Sequence, residues 1–177
     1  MAPKLSISGT FSSGKTTVVN SIRASVPNAI ILAEHAWNIK SLFPQIDWTS
    51  QIVRDYMLFS QLVREKEIVA LNVPIICDTG VLESIAHSLV FGLNPRVELL
   101  EELFHDPYDL LFICDYKEVF LVDNNVRETN PELREKLHDA ILRVARNLGY
   151  NPIFLTGDAD ERTHSVLDAL DKFRSSQ

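Results

Sequence analysis

The chain is 177 residues long, 46% hydrophobic and 23% charged, enough to bury a core and too balanced for a collagen, a coiled coil or a disordered tail. Seventeen basic against twenty-four acidic residues leave a net charge of −7, which speaks against general nucleic-acid binding and against an acidic membrane surface, while allowing a local phosphate pocket. Cys77 and Cys114 each close an apolar run and share no C-x-x-C spacing, so they read as reduced, buried thiols of a cytoplasmic protein. The sequence opens without a basic-then-apolar leader, and nowhere do about 18 apolar residues run together, so neither export nor a membrane span is expected.

Residues 4–8 (KLSIS) are a short, partly β-branched run ending at Gly9 and predict a buried strand. Residues 16–24 follow as a helix with Val18, Val19 and Ile22 on one side. Residues 28–33 (NAIILA) predict a second strand, introduced by Pro27 and closed by Glu34. Residues 34–50, rich in aromatic and turn residues, read as irregular. Residues 51–71 place Ile52, Tyr56, Phe59, Leu62, Val63, Val69 and Ala70 near helical period, and Asn72 and Pro74 end that helix before a third strand at 74–77. A helix over 81–91 stops at Gly92, and another covers 94–105. Residues 108–114 (YDLLFIC) predict the fourth strand, and the polar stretch 118–130 a mobile loop. Pro131 opens a helix over 132–148 closed by Gly149, with a fifth strand at 152–155 and a last helix at 160–173. Short strands alternating with helices predict an α/β domain spanning 1–177, a five-stranded parallel sheet with helices on both faces.

Residues 9–16 spell GTFSSGKT, an intact G-x-x-x-x-G-K-S/T between a predicted strand and a predicted helix, the context this motif requires. Glycines let the loop turn tightly enough for successive N–H groups to converge on phosphate oxygens, and the helix adds the positive end of its dipole. The expectation is a three-layer P-loop NTPase fold in which Gly9, Thr10, Phe11, Ser12, Ser13, Gly14, Lys15, Thr16 and Thr17 bind ATP. Lys15 is expected to reach the β- and γ-phosphates and Thr16 to offer its hydroxyl to Mg2+. Ser12 and Ser13 lie inside this loop, which argues against hydrolase nucleophiles.

Ligands of an open parallel sheet bind beyond the carboxyl ends of its strands. Asp78, after PIIC, suits a ligand of Mg2+ and its water or a phosphate-site carboxylate; Glu34 suits a general base on a substrate hydroxyl; Asp115 is a third strand-end carboxylate. The competing reading for each is a solvated carboxylate at a loop start. His35 reads more readily as structural than as a substrate contact. Trp37, Phe43 and Trp48 either line a ring-binding pocket or simply pack, and no His/Cys pattern points to zinc. Arg127, in the loop after the fourth strand, suits closure over a transferring phosphoryl group, as does Arg134 in the next helix. Surface pairing with Glu128, Glu132 or Glu135 is the alternative for both.

Taken in order, SGTFSSGKTT, AEHAW, FSQLVREKE, PIICDTGVLES, HSLVFG, YDLLFICD, VDNNVRETNPELREKL and GDADERTHSVLDAL span nearly the whole chain. In that order it resembles the small AAA-type P-loop kinases related to the ribosylnicotinamide kinase domain of the bacterial NAD-biosynthesis regulator. The resemblance implies ATP and Mg2+, γ-phosphoryl transfer to a nucleoside-like hydroxyl, and a lid over about residues 116–134. It puts Glu34 at the substrate-side acidic position, Asp78 and Thr79 at the D-T pair, and Asp123 and Arg127 in the lid segment. The chain departs from that pattern at Gly80, where a second acidic residue is common, at Asn124 and Asn125, where Asp-Gly is expected, and at Ala33, where an arginine commonly precedes the glutamate.

The leading expectation is thus an ATP-dependent kinase of a nucleoside-like small metabolite, with a homodimer left open. The alternative is a nucleotide-dependent switch or accessory ATPase acting through a protein partner. A nucleic-acid end kinase is disfavoured by the acidic balance.

Overall fold

Five apolar runs become strands: β1 (Lys4–Ser8), β2 (Ile30–Leu32), β3 (Ile75–Asp78), β4 (Leu110–Cys114) and β5 (Ile153–Leu155). In this computed structural model, which describes residues 2–117 and 130–176, they form one parallel sheet in the order β2-β3-β1-β4-β5. The side chains of residues 37, 38, 40, 97–99 and 102 are outside that description.

Side chains alternate along a strand, so a sheet covered on both faces needs apolar residues at consecutive positions. Leu5, Ile7, Ile76, Phe112 and Cys114 face one layer, against Val18, Val19 and Ile22 of α1 (Lys15–Arg23) and Val166 and Leu170 of α7 (Ala159–Ser175). Ile75, Cys77, Leu111 and Ile113 face the other, packed on Leu58 and Leu62 of α3 (Gln51–Val69), Leu82 and Ile85 of α4 (Val81–Val90), and Leu137 and Ile141 of α6 (Pro131–Asn147). Leu103 of α5 (Val97–His105) joins this second cluster. The three-layer α/β fold expected from the sequence is the fold observed. Cys77 and Cys114 are free and buried. Among the described residues no helix is long and apolar enough to cross a membrane.

Local signals set the helix ends. The Asn130 side chain accepts from the amides of Glu132 and Leu133 at 3.0 and 3.3 Å, with Pro131 in the first turn of α6. Asp158 and Glu161 form a reciprocal capping box on α7. After α4, Gly92 takes φ 72°, and Leu93 donates back to the Ser88 carbonyl at 2.9 Å.

One segment differs from expectation. Residues 34–50 are not wholly irregular, because α2 (His35–Leu42) occupies their first half. HAWNIKSL contains neither Gly nor Pro, Ile39 is buried, and Phe43 donates to the Ile39 carbonyl at 2.8 Å before Pro44 ends the run. A helix this short draws its stability from packing rather than from its own propensity.

Candidate phosphate-binding site

The chain leaves the central strand at Ser8 and turns through residues 9–14 into α1. Gly14 caps that helix at φ 88° and Ser12 sits at φ 55°, both in the left-handed region. A Cβ on Gly9 would lie 2.5 Å from Ser13 Oγ and 3.2 Å from the Cys114 carbonyl oxygen, so only a hydrogen fits there. Cations hold the loop carbonyls. Lys15 Nζ donates to Gly9 O at 2.7 Å and Thr10 O at 3.1 Å. Arg134 Nε donates to Phe11 O at 2.9 Å, and Arg162 Nη1 to Ser13 O at 2.7 Å. Among the described residues, no acceptor engages the amides of Ser12, Gly14, Lys15 or Thr16, and the hydroxyls of Thr10, Ser12 and Ser13 are buried without a hydrogen-bond partner. Buried donors left unpaired are costly. A loop with carbonyls engaged and those amides and hydroxyls unspent, at a helix N-terminus, fits a phosphate chain.

Asp78 closes β3 beside Ile7 of the central strand. Its Oδ2 accepts from Thr16 Oγ1 at 2.8 Å. A hydroxyl and a carboxylate in contact beside a phosphate loop are the hard oxygen donors a Mg2+ ion takes alongside phosphate and water. No cluster of three or more His, Cys, Asp or Glu capable of holding a metal occurs among the described residues. Immediately after Asp78, Thr79 takes φ 70°, unusual for a β-branched residue and worth about 1–3 kcal/mol of local strain.

Lys15 meets a carboxylate that sequence reasoning did not single out. Glu83, in the first turn of α4 and 1% exposed, lies 3.2 Å from Lys15 Nζ through Oε1 and accepts from the Gly9 amide at 3.1 Å through Oε2. Burial alone pulls the Lys15 ammonium down, but Glu83, Glu34 and Asp78 together outweigh it and hold its pKa above the ordinary lysine value. Burial likewise pushes Glu83 up, yet Lys15, His87 and the Gly9 amide hold it below the usual carboxylate range. Glu34 is half-buried at the N-cap of α2. Burial lifts its carboxyl above the ordinary value against the pull of Lys15, and Glu83 and Asp78 add to the lift. Arg64 fixes the preceding turn by donating from Nη1 and Nη2 to the Ala33 carbonyl, both at 3.2 Å.

Lys15, Thr16, Asp78 and Glu34 thus share one end of the sheet, linked by contact or by field. Other candidates do not join them. Asp115 turns its carboxylate to the Lys117 amide at 2.9 Å. Trp48 is half-buried, with its carbonyl on Arg54 Nε at 2.6 Å, and Phe43 is 59% exposed. Among the described residues His35 Nε2 finds no hydrogen-bond partner, and burial lowers its pKa, helped by Arg64. Thr17 is exposed. Asp123, Asn124, Asn125 and Arg127, like the Trp37 side chain, lie outside the described residues. Arg134 is buried, bonded to Phe11 O and stacked 5.0 Å over the Tyr116 ring. Gly80 also has a physical reason, because a Cβ there would stand 2.3 Å from Tyr108 Oη and 2.7 Å from Ser6 Oγ.

Arg162 and Glu83 are the site residues the sequence reading missed. A signal existed for the arginine: it aligns with Val166 and Leu170 at four-residue spacing, so a charge sits on the apolar stripe of α7. Arg134 likewise continues the Leu137, Ile141, Val144 stripe of α6.

Solved structures with the same fold include the thymidylate kinase from Ehrlichia chaffeensis (TM-score 0.70, 15% identity, 96% of this chain and 98% of that chain). They also include the NadR protein in complex with NAD and AMP-PNP (TM-score 0.74, 18% identity, 97% of this chain). This chain spans about half of the NadR chain, 49% of its length. A third is the deoxyadenosine kinase from M. mycoides (TM-score 0.61, 17% identity, 97% and 99% coverage). A search of curated protein sequences gives no match. The family profile described as an AAA domain matches residues 4–162, from β1 through the loop and strand-end carboxylates to Arg162. On that match over most of its length, the chain belongs to the AAA domain family.

Proposed function

We propose that this protein is an ATP-dependent phosphotransferase that moves a γ-phosphoryl group to a hydroxyl of a nucleoside-like small metabolite. The observation that carries the reading is the loop at residues 9–16, with carbonyls engaged by Lys15, Arg134 and Arg162 and, among the described residues, the amides of Ser12, Gly14, Lys15 and Thr16 and the hydroxyls of Thr10, Ser12 and Ser13 unspent. The structures of similar fold named above are kinases of nucleosides and nucleotides or hold a nucleotide analogue, which supports the class of chemistry without naming the acceptor.

In this reading Gly9 through Thr17 bind the phosphates, and Thr16 and Asp78 hold Mg2+, which neutralises phosphate charge. Glu34 takes the proton from the acceptor hydroxyl as the new P–O bond forms and ADP leaves, and its raised pKa suits that role. Lys15, kept charged by its neighbouring carboxylates, stabilises charge on the transferring group. Arg127, in a lid over about 116–134 of a single 1–177 domain, closes the site.

The test is a Mg·ATP assay across nucleosides and nucleoside monophosphates, following ADP and phosphorylated product together. The reading expects both in equal amounts with at least one acceptor class. It also expects Glu34→Gln to lower kcat by about 100- to 10,000-fold while ATP affinity holds. Acceptor-independent ADP as the sole product, with a protein that binds one nucleotide state, would instead support a nucleotide-dependent switch. Gly80 favours that second reading, because Tyr108 Oη and Ser6 Oγ fill the space an acidic side chain would need.

A further inference from the structure

The strand-end carboxylates account for metal and acceptor, yet the carboxylate nearest Lys15 belongs to neither. Glu83 bridges both ends of the phosphate loop. One oxygen accepts from the amide of Gly9, the first residue of the motif, and the other lies 3.2 Å from the ammonium of Lys15, its seventh. An ammonium has three hydrogens. Those of Lys15 meet three acceptors, Gly9 O at 2.7 Å, Thr10 O at 3.1 Å and Glu83 Oε1 at 3.2 Å, which fix the head of the side chain.

The carboxylate is itself braced. The Val81 amide, at the start of the helix that carries it, donates to Tyr108 Oη at 2.7 Å and to Glu65 Oε1 at 3.2 Å. Tyr108 in turn donates to the Glu65 carboxylate at 3.0 Å, and Lys4 Nζ lies 3.2 Å from Glu65 Oε2. One turn along α4, His87 Nε2 lies 3.6 Å from Glu83 Oε1 and packs its ring edge-on against Phe11 of the loop, 5.0 Å between centroids. Glu83 therefore hangs from a helix end locked to the sheet, and its two oxygens are spent on the two ends of the loop.

We propose that Glu83 is a positioning residue that acts through Lys15, holding the lysine head and the first loop amide in the arrangement that receives the triphosphate. The proposal rests on reading residues 9–17 as a nucleotide site. A carboxylate is required because both of its contacts are with donors. A glutamine has one acceptor and one donor on the same fork, so its NH2 must face either the Gly9 amide or the Lys15 ammonium. An aspartate keeps the charge but is one methylene too short to span both.

A double-mutant cycle tests this, reading the Kd for Mg·ATP by calorimetry in the full chain, with folding checked by circular dichroism and thermal melting. Wild type, Lys15→Met, Glu83→Gln and the double variant form the cycle. Glu83→Gln should raise Kd at least about tenfold in the wild-type background and change it less than about twofold in the Lys15→Met background, because a residue acting through another is non-additive with it. A Glu83→Gln Kd within twofold of wild type, or an equal penalty in both backgrounds, overturns the proposal. If Glu83→Gln does not fold, Glu83→Asp carries the test. An Asp variant that binds like wild type overturns the bridging role, and one weakened at least about fivefold, again only when Lys15 is present, supports it. A wild-type chain that ignores Mg·ATP, or a Lys15→Met variant that binds as wild type does, overturns the nucleotide-site reading and this proposal with it.

Discussion

Tyr108 shows how one hydroxyl can decide what a neighbouring position tolerates. Its Oη donates to Glu65 and accepts from the Val81 amide, and it leaves no room for a Cβ at Gly80. Tyr108→Phe should therefore cost about 1–3 kcal/mol of unfolding free energy, since it strips partners from a buried carboxylate and a helix-end amide. Gly80→Asp should cost at least as much, because it drives a side chain into that hydroxyl and adds a charge beside Glu65. Urea titrations of both variants check this, and a Gly80→Asp chain as stable as wild type would contradict the packing described. The two thiols offer a second residue-scale test. Burial pushes Cys114 up to about 11, and Cys77 is raised well above its ordinary value, chiefly by burial with Glu65 adding. Thiolate is the reactive form, so neither cysteine should label at pH 8 until denaturant is added. Rapid labelling of the native chain would contradict their placement.

At the scale of elements, the sequence was most readable where period and punctuation agreed. IIC before Asp78 and LLFIC before Asp115 are apolar on both faces, KLSIS before the glycine loop on one, and the three became the inner strands. Pro131 and Gly92 marked helix ends through caps the backbone uses. Asp158→Ala should lower stability by about 1 kcal/mol through loss of the capping box, measured as a shift in melting midpoint, whereas a neutral result would place the cap outside the cooperative unit. The α2 helix was illegible because its aromatic residues and short length resemble a loop, and Ile39, its buried anchor among the described side chains, carries no periodic signal alone. The site was legible to the same degree. Residues 9–17, Glu34 and Asp78 follow from motif spacing and strand ends, which local sequence encodes. Glu83, Arg134 and Arg162 act on the loop from three different helices, and only the fold brings them there. A charge lying on an apolar stripe was the readable trace of the two arginines.

For the whole molecule, buried ion pairs set how stability should follow pH. Glu83 has a folded pKa below its unfolded value, so its contribution is present above the ordinary glutamate value and is lost as pH falls through the folded one. Lys4 runs the other way. Burial pulls it down, but Glu65 and Asp106 outweigh burial and raise it. Its contribution is therefore present below the ordinary lysine value and is lost as pH rises through the folded one. Urea midpoints from about pH 3 to pH 11 should fall on both sides. Glu83→Gln should flatten the acid limb and Lys4→Met the alkaline limb, and a variant that keeps its wild-type slope would show that its group does not govern that limb. The core layers around β1 surround one polar end, where Lys15 meets Glu83 within the field of Glu34 and Asp78. The claim on which the functional account depends is that this end holds a triphosphate. Calorimetric titration of Mg·ATP into wild type and a folded Lys15→Met variant tests it most directly. The account expects saturable one-to-one binding by wild type, weakened at least about tenfold, or about 1.4 kcal/mol, by the substitution; equal affinities, or no binding by wild type, would contradict it.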